Sequence, residues 1–345
     1  MGENPFTSVC RYACAQCKGA LRTFGDEYKC VDCGRSFPVH EDIPDLRIGL
    51  NDAESAFYAE VSFNHHYAFS QRDHCYFRDR DHFADQVGFL LRLRELRTFL
   101  ARIYADEEKD LTILDAGCGD GIMAQFLLRR SDHIYCVDLS LNSLKNARKF
   151  LSLPHMPPPK GLHLAQCNIH AFPFFDSFFD VVILTEVLEH TSNPELVVSE
   201  SHRTLKVGGK FYITTPNIDG DGFLYGRLKR LTRRVGFRLK EKREIYRKIE
   251  EAENRYGIRG HVGEFSIDEL KTLLLKVGFS NLRLYTRYSS YLDLQMVSKL
   301  FRGLDRFLCS SWSTRMYAAL DQSISSRQQL QSRGFIQICS GERLR

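Results

Sequence analysis

No stretch of the sequence approaches the roughly 18 consecutive apolar residues that a membrane-spanning helix needs, so no transmembrane segment is expected. The opening residues, MGENPFTSVCRYACAQC, lack the apolar core of a secretory signal. Position six, where an N-myristoylation signal carries Ser or Thr, holds Phe6. There is no internal repeat and no long low-complexity tract, so nothing marks a repeat array. A cytoplasmic protein is expected. Its 11 cysteines then stand in reducing surroundings, where metal ligation or plain burial is favoured over disulfides. The net charge of +5 is too small to imply nucleic acid by itself.

What is present is ordinary for folded protein: 43% hydrophobic and 26% charged residues in a chain of 345, enough for one large domain or a few smaller ones. Four cysteines crowd the start. Cys14, Cys17, Cys30 and Cys33 form two C-x-x-C knuckles in a C-x2-C-x12-C-x2-C pattern. Each knuckle offers two thiolates, and two knuckles close a tetrahedral zinc site with no open position, so a bound zinc would be structural. The alternative, four unligated buried cysteines, sits poorly with the paired spacing. Residues 1–47 are expected to form a small separate module that needs its metal to fold. Cys10 falls outside the spacing.

Residues 48–110 read as a helical cap or linker, clearest at Phe83 to Tyr104, where apolar residues recur every three or four positions. From Leu111 the texture changes. LTILDA, HIYCVDLS, GLHLAQC, FDVVILTE and GKFYITTPN read as strands, with GIMAQFLLRR, SLKNARKFL and NPELVVSESHRTLK as helices between them. Near-continuous apolar strands alternating with helices indicate an α/β domain with a parallel sheet covered on both faces, over 111–345. NLRLYTRYSS and the late GFIQICS supply two more strands, and Ser266 to Val277 opens with a Ser-x-x-Glu capping box. Two insertions interrupt this domain. Residues 223–260 carry thirteen Lys/Arg against five Glu, a local +8. Residues 291–330 form a second, helical insertion.

The stretch LTILDAGCGDG ends a strand in a Gly-rich turn. Gly117, Gly119 and Gly121 permit a sharp turn and close approach of a ligand, but the spacing departs from the dinucleotide pattern. Asp115 and Asp120 would repel a pyrophosphate there and would favour a cofactor carrying ammonium and sulfonium groups. Asp138 ends the next strand, where an acid accepts hydrogen bonds from a ribose diol.

With these residues the sequence resembles the class I S-adenosylmethionine-dependent methyltransferases, through LDAGCGDG, VDLS, IHAFPFFDSFFDVVILTEVLEH and LKVGGKFYITTPN. The resemblance implies a Rossmann-like, doubly wound seven-stranded sheet, mostly parallel with the last strand antiparallel. It implies that S-adenosylmethionine is held at its methionine end by Asp115, Ala116, Gly117, Cys118 and Gly119. Asp138 and Leu139 would meet the ribose, and Asn168 and Ile169 the adenine. Asn168 stands where the family carries Asp. Thr185 lies in the segment LTEVLEH, Leu184 to His190, where methyl and acceptor would meet. His190, His261 and Glu186 are the acid–base candidates, with Glu189 as an alternative; a structural histidine is the competing reading for the two His. HCYFRDRDHF, from His74 to Phe83, resembles an element that precedes such domains and would bring Arg78 or Arg80 to the methionine carboxylate. The cysteine module resembles the Trm112-like zinc-binding segments found near some methyltransferases.

The function expected is methyl transfer to a small-molecule, glycan or lipid-linked acceptor. Two alternatives remain open: an RNA methyltransferase gripping phosphates with the zinc ribbon and 223–260, and a scaffold that has kept only the cofactor fold. RNA is disfavoured because no Asn-Pro-Pro-Tyr or catalytic Cys motif is present. The basic insertion would suit an anionic membrane surface, placing the protein at the inner face of a membrane, or a phosphate-bearing substrate; a solvated charged helix is the plainer reading. The sequence leaves the oligomeric state open.

Overall fold

A computed structural model describes residues 11–51, 67–70, 75–78, 83–106, 110–125, 132–151, 161–220, 254–257, 263–287 and 336–344, with a few isolated positions besides. Seven strands form the central sheet: β7 (Thr112–Ala116), β8 (His133–Asp138), β9 (Gly161–Gln166), β10 (Phe179–Thr185), β11 (Leu205–Pro216), β12 (Phe279–Arg287) and β13 (Ile336–Arg343). Their order is β12-β13-β11-β10-β7-β8-β9. β7 to β11 pair in parallel, and β13 runs antiparallel to both β11 and β12. The doubly wound architecture inferred from sequence is therefore the observed one.

Strand side chains alternate between faces, and the cores divide accordingly. Leu114, Val182 and Phe211 look one way, where α4 (Pro194–Thr204) and α5 (Ile267–Val277) cover them with Val197, Val198, Leu270 and Leu274. Ile113, Val181, Ile183 and Tyr212 look the other way, onto Leu96, Leu100 and Ile103 of α1 (Phe83–Asp106). α3 (Leu141–Leu151) covers β8 and β9 on that side with Leu144 and Leu151. A short α2 spans Ile122–Gln125. The capping box at α5 forms in both directions: Glu269 N–H donates to Ser266 Oγ, and the Glu269 carboxylate accepts from Ser266 N–H at 2.8 Å. The expected helix over 193–206 is shorter. Asn193 caps it and Leu205 is already extended, so β11 begins there. A register shift between Phe179 and Val181 takes up the extra residues, with Gly208 at φ +80°.

Two expectations are corrected. The 48–110 segment is not helical throughout: β5 (Tyr67–Ser70) and β6 (Cys75–Arg78) form an antiparallel hairpin ahead of α1. Each strand is only four residues long, too short for its pattern to stand out beside the helical periodicity of α1. Nor is the N-terminal module separate. Its strands β1 (Leu21–Phe24), β2 (Glu27–Cys30), β3 (Ser36–His40) and β4 (Ile43–Pro44) form an antiparallel sheet. Tyr12, Leu21, Phe37 and Leu46 are buried in the same cluster as Tyr135, Phe174 and Val182. Tyr12 donates its hydroxyl to Leu164 O at 3.1 Å and meets Tyr135 edge-on. Lys18 donates to Phe172 O and Glu200. The module thus gains from the sheet the apolar cover that its own length cannot supply.

Candidate active site and cysteine centre

Open α/β sheets gather ligands at the carboxyl ends of their strands. There β7, β8, β9 and β10 bring together nearly all the residues singled out in the sequence. The Gly turn after β7 is held by Gly117 and Cys118 N–H groups donating to Val137 O at 2.8 and 3.0 Å. Gly119 N–H donates to Asp138 Oδ2 at 2.9 Å, and Ser140 N–H to Asp138 Oδ1 at 2.8 Å. One carboxylate at the end of β8 thereby fixes both the Gly turn and the start of the next helix. Desolvation nonetheless raises its pKa, outweighing those hydrogen bonds.

Asp115 is buried, with no hydrogen-bond partner for either carboxylate oxygen. Burial, aided by the charge of Asp138, pushes its pKa up to about 7. Asp120 is pushed up to about 6, mainly by burial. A buried carboxylate without donors is a costly arrangement in isolation, and a cationic or N–H-bearing ligand relieves it. An anionic phosphate would aggravate it. The residues present therefore fit the methionine end of S-adenosylmethionine and do not fit a pyrophosphate.

Thr185 ends β10, level with Thr214 of β11. Glu186 follows in a left-handed conformation, φ +57°. It accepts from the Thr214 hydroxyl at 2.8 Å and pairs with Arg92 of α1 at 3.2 Å. Glu189 is buried and accepts from the Thr215 hydroxyl at 3.0 Å; burial and the Glu186 charge raise its pKa well above the carboxylate range. His190 closes the 3-10 turn Leu188–His190, with its side chain 28% exposed and Nε2 3.9 Å from Glu189 Oε1. Ala116 pairs with Val137, Leu139 O accepts from Gln166, and Ile169 packs half-buried on the main core. Cys118 is buried, its thiol pKa raised by burial. Asn168 is buried just past β9.

His261 lies outside the described residues, as do 291–330, almost all of 223–260, Arg80 and the Arg78 side chain. Among the described residues no helix is long and apolar enough to cross a membrane. Sequence reasoning missed Arg92, Thr214 and Thr215. Arg92 sits in a helix recognised by its apolar periodicity, which carries no information about what its cations meet.

The four cysteine sulfurs lie within 4.8 Å of one another, with Cys14–Cys33 at 3.7 Å and Cys17–Cys30 at 3.5 Å. Zinc–sulfur bonds of about 2.3 Å in a tetrahedron set sulfurs about 3.8 Å apart, so the cluster fits zinc. The two knuckles share one backbone design. Cys14 N–H donates to Gly19 O and Cys30 N–H to Arg35 O, while Lys18 and Gly34 N–H groups return to Cys14 O and Cys30 O. Lys18 and Gly34 both take left-handed φ, 63° and 72°.

Residues 114–213 match the model of the methyltransferase domain family. The chain is similar to the ubiquinone biosynthesis O-methyltransferase of Hydrogenovibrio crunogenus, 29% identical over 41% of this chain and 57% of the relative. It is also similar to the malonyl-[acyl-carrier protein] O-methyltransferase of Erwinia billingiae, 29% identical over 34% of this chain and 43% of the relative. Among solved structures, a Haemonchus contortus phosphoethanolamine N-methyltransferase aligns over 73% of this chain and 53% of its own, at 16% identity and TM-score 0.43. The chain spans about half the length of the curated relatives it matches. The strand order with its antiparallel β13, the acid-flanked Gly turn and the match over 114–213 together identify a methyltransferase domain within this chain.

Proposed function

We propose that the chain transfers a methyl group from S-adenosylmethionine to an oxygen of a small-molecule acceptor. The observation that carries this reading is Asp115, buried with both carboxylate oxygens unpartnered at the base of the Gly turn. Its place beside a turn whose other acid, Asp138, stands one strand over supports a cationic amino-acid end near β7 and a ribose near β8. Ala116, Gly117, Cys118 and Gly119 supply the close-approaching backbone, Leu139 the wall beside the ribose, and Asn168 and Ile169 the adenine end. Thr185 lies where methyl and acceptor meet.

Held there, S-adenosylmethionine would supply an electrophilic methyl for in-line transfer to an acceptor oxygen, with S-adenosylhomocysteine as the leaving group. His190 is the group we assign to the acceptor's proton. It is partly exposed at the carboxyl edge, whereas Glu186 is occupied by Arg92 and Thr214, and Glu189 is buried away from the edge with its carboxyl pKa raised by that burial. Cys14, Cys17, Cys30 and Cys33 are the ligands we assign to a structural zinc. An oxygen acceptor is favoured over nitrogen or carbon by the names of the two curated relatives, both O-methyltransferases.

The test is transfer of labelled methyl from S-adenosylmethionine into a fractionated cell extract. Label in the small-molecule or lipid fraction, as a base-stable ether or base-labile ester, supports the reading. Label confined to RNA or protein, or none, contradicts it.

A further inference from the structure

β9 is one of the two outer strands of the sheet, and the chain leaving the cysteine module runs along it. Asp45 bridges Gln166 in parallel, and Leu46 N–H donates to Gln166 O at 2.8 Å. Two residues on, Ile48 O accepts from Asn168 Nδ2 at 3.1 Å. Gly49 turns beside that amide at φ +70°, where a Cβ would be in ordinary contact with Asn168 Nδ2 at 3.9 Å. On its other side Asn168 Oδ1 accepts from His170 N–H at 3.0 Å. These two neighbours admit one orientation only. Flipping the amide would set its NH2 against an N–H and its oxygen against a carbonyl.

The arrangement also accounts for the departure from the family's Asp. A carboxylate has no hydrogen to offer Ile48 and would face that carbonyl with like partial charge. An Asn gives one N–H to Ile48 and keeps a second lone pair on Oδ1, because His170 uses only one. We propose that the Ile48 carbonyl, anchored through the cysteine module, is a positioning group for the adenine end of the cofactor site: it fixes the Asn168 amide with Oδ1 free to accept from the adenine amino group, and so couples metal in the cysteine centre to recognition of that base. This rests on the cofactor reading above.

By linkage the coupling is reciprocal, so cofactor and metal each tighten binding of the other. The experiment uses the zinc-loaded full chain and calorimetry with S-adenosylhomocysteine and S-inosylhomocysteine, whose purine bears no amino group. The intact chain is expected to prefer the adenosine compound by roughly tenfold, the worth of about one buried hydrogen bond. Removing zinc with a chelator should bring that ratio toward unity while the inosine compound binds as before. A ratio unchanged by metal removal overturns the coupling. Binding of neither compound by the intact chain overturns the cofactor reading as well. Should the stripped chain unfold, Asn168→Asp in the zinc-loaded chain serves instead. It should release zinc to a chromogenic chelator several-fold faster than the wild type, and an unchanged release rate overturns the proposal.

Discussion

A Cβ placed on Gly117 would lie 2.7 Å from Cγ2 of Val187, at a backbone φ of +72°. Both the strand-end turn and the start of the 3-10 turn depend on that hydrogen-sized gap. Gly117→Ala is therefore expected to strain the turn and to displace Val187, which caps the 3-10 turn Leu188–His190. Affinity for S-adenosylhomocysteine should fall by more than about tenfold, with a loss of stability of about 1–3 kcal/mol. Calorimetry and urea unfolding check the two effects. Gly263, where an added Cβ would meet nothing within 4 Å, supplies the control substitution.

Asp115 sets a pH dependence. Its folded pKa stands at about 7 against 3.8 for the free side chain. The folded state therefore binds the proton more tightly than the unfolded state, and stability falls as pH rises from about 4 through about 7. Asp115→Asn should flatten that slope in thermal melts of the ligand-free protein. Affinity for S-adenosylhomocysteine should move the opposite way, strengthening as pH rises through about 7 while Asp115 ionises against the ligand ammonium. An affinity independent of pH from about 6 to 8 contradicts the pairing.

Glu189 is buried with a pKa well above the carboxylate range and accepts from Thr215. Its neutral form is what Gln imitates. Glu189→Gln should keep the fold and raise stability above wild type at alkaline pH, where the native carboxyl is forced to ionise. Glu189→Ala, leaving the Thr215 hydroxyl unpartnered, should cost about 1–3 kcal/mol. Melting curves across pH separate the two variants.

Tyr12 tests how the cysteine module is held. Its ring is buried against Tyr135 and Phe174, and its hydroxyl reaches Leu164 O. Tyr12→Ala should cost about 3–5 kcal/mol and Tyr12→Phe only about 1 kcal/mol. Zinc release and sheet unfolding should then occur in one transition. A module that lets go of its metal without affecting the unfolding of the sheet contradicts the shared core.

Much of this architecture is written locally. The apolar strands, the Gly turn, Asp138 nineteen residues beyond Gly119 and the Ser266–Glu269 capping box all depend on neighbours a few residues away. So do the two cysteine knuckles. What escaped the sequence depends on distant partners. Ile48 meets Asn168 across 120 residues and Arg92 meets Glu186 across 94, and neither pair has a spacing that marks it. Tyr12 reads as a loop residue until the face it covers is known. The β5–β6 hairpin is too short for its alternation to stand out from the helical pattern around it.

The proposed role of the acid-flanked Gly turn is to bind S-adenosylmethionine. Calorimetric titration of the zinc-loaded chain with S-adenosylhomocysteine tests it most directly. One-to-one binding is expected, which Asp138→Ala weakens at least about tenfold through loss of the ribose contacts and of the anchor for Gly119. No heat of binding in the folded protein, or equal affinity in wild type and Asp138→Ala, would contradict it.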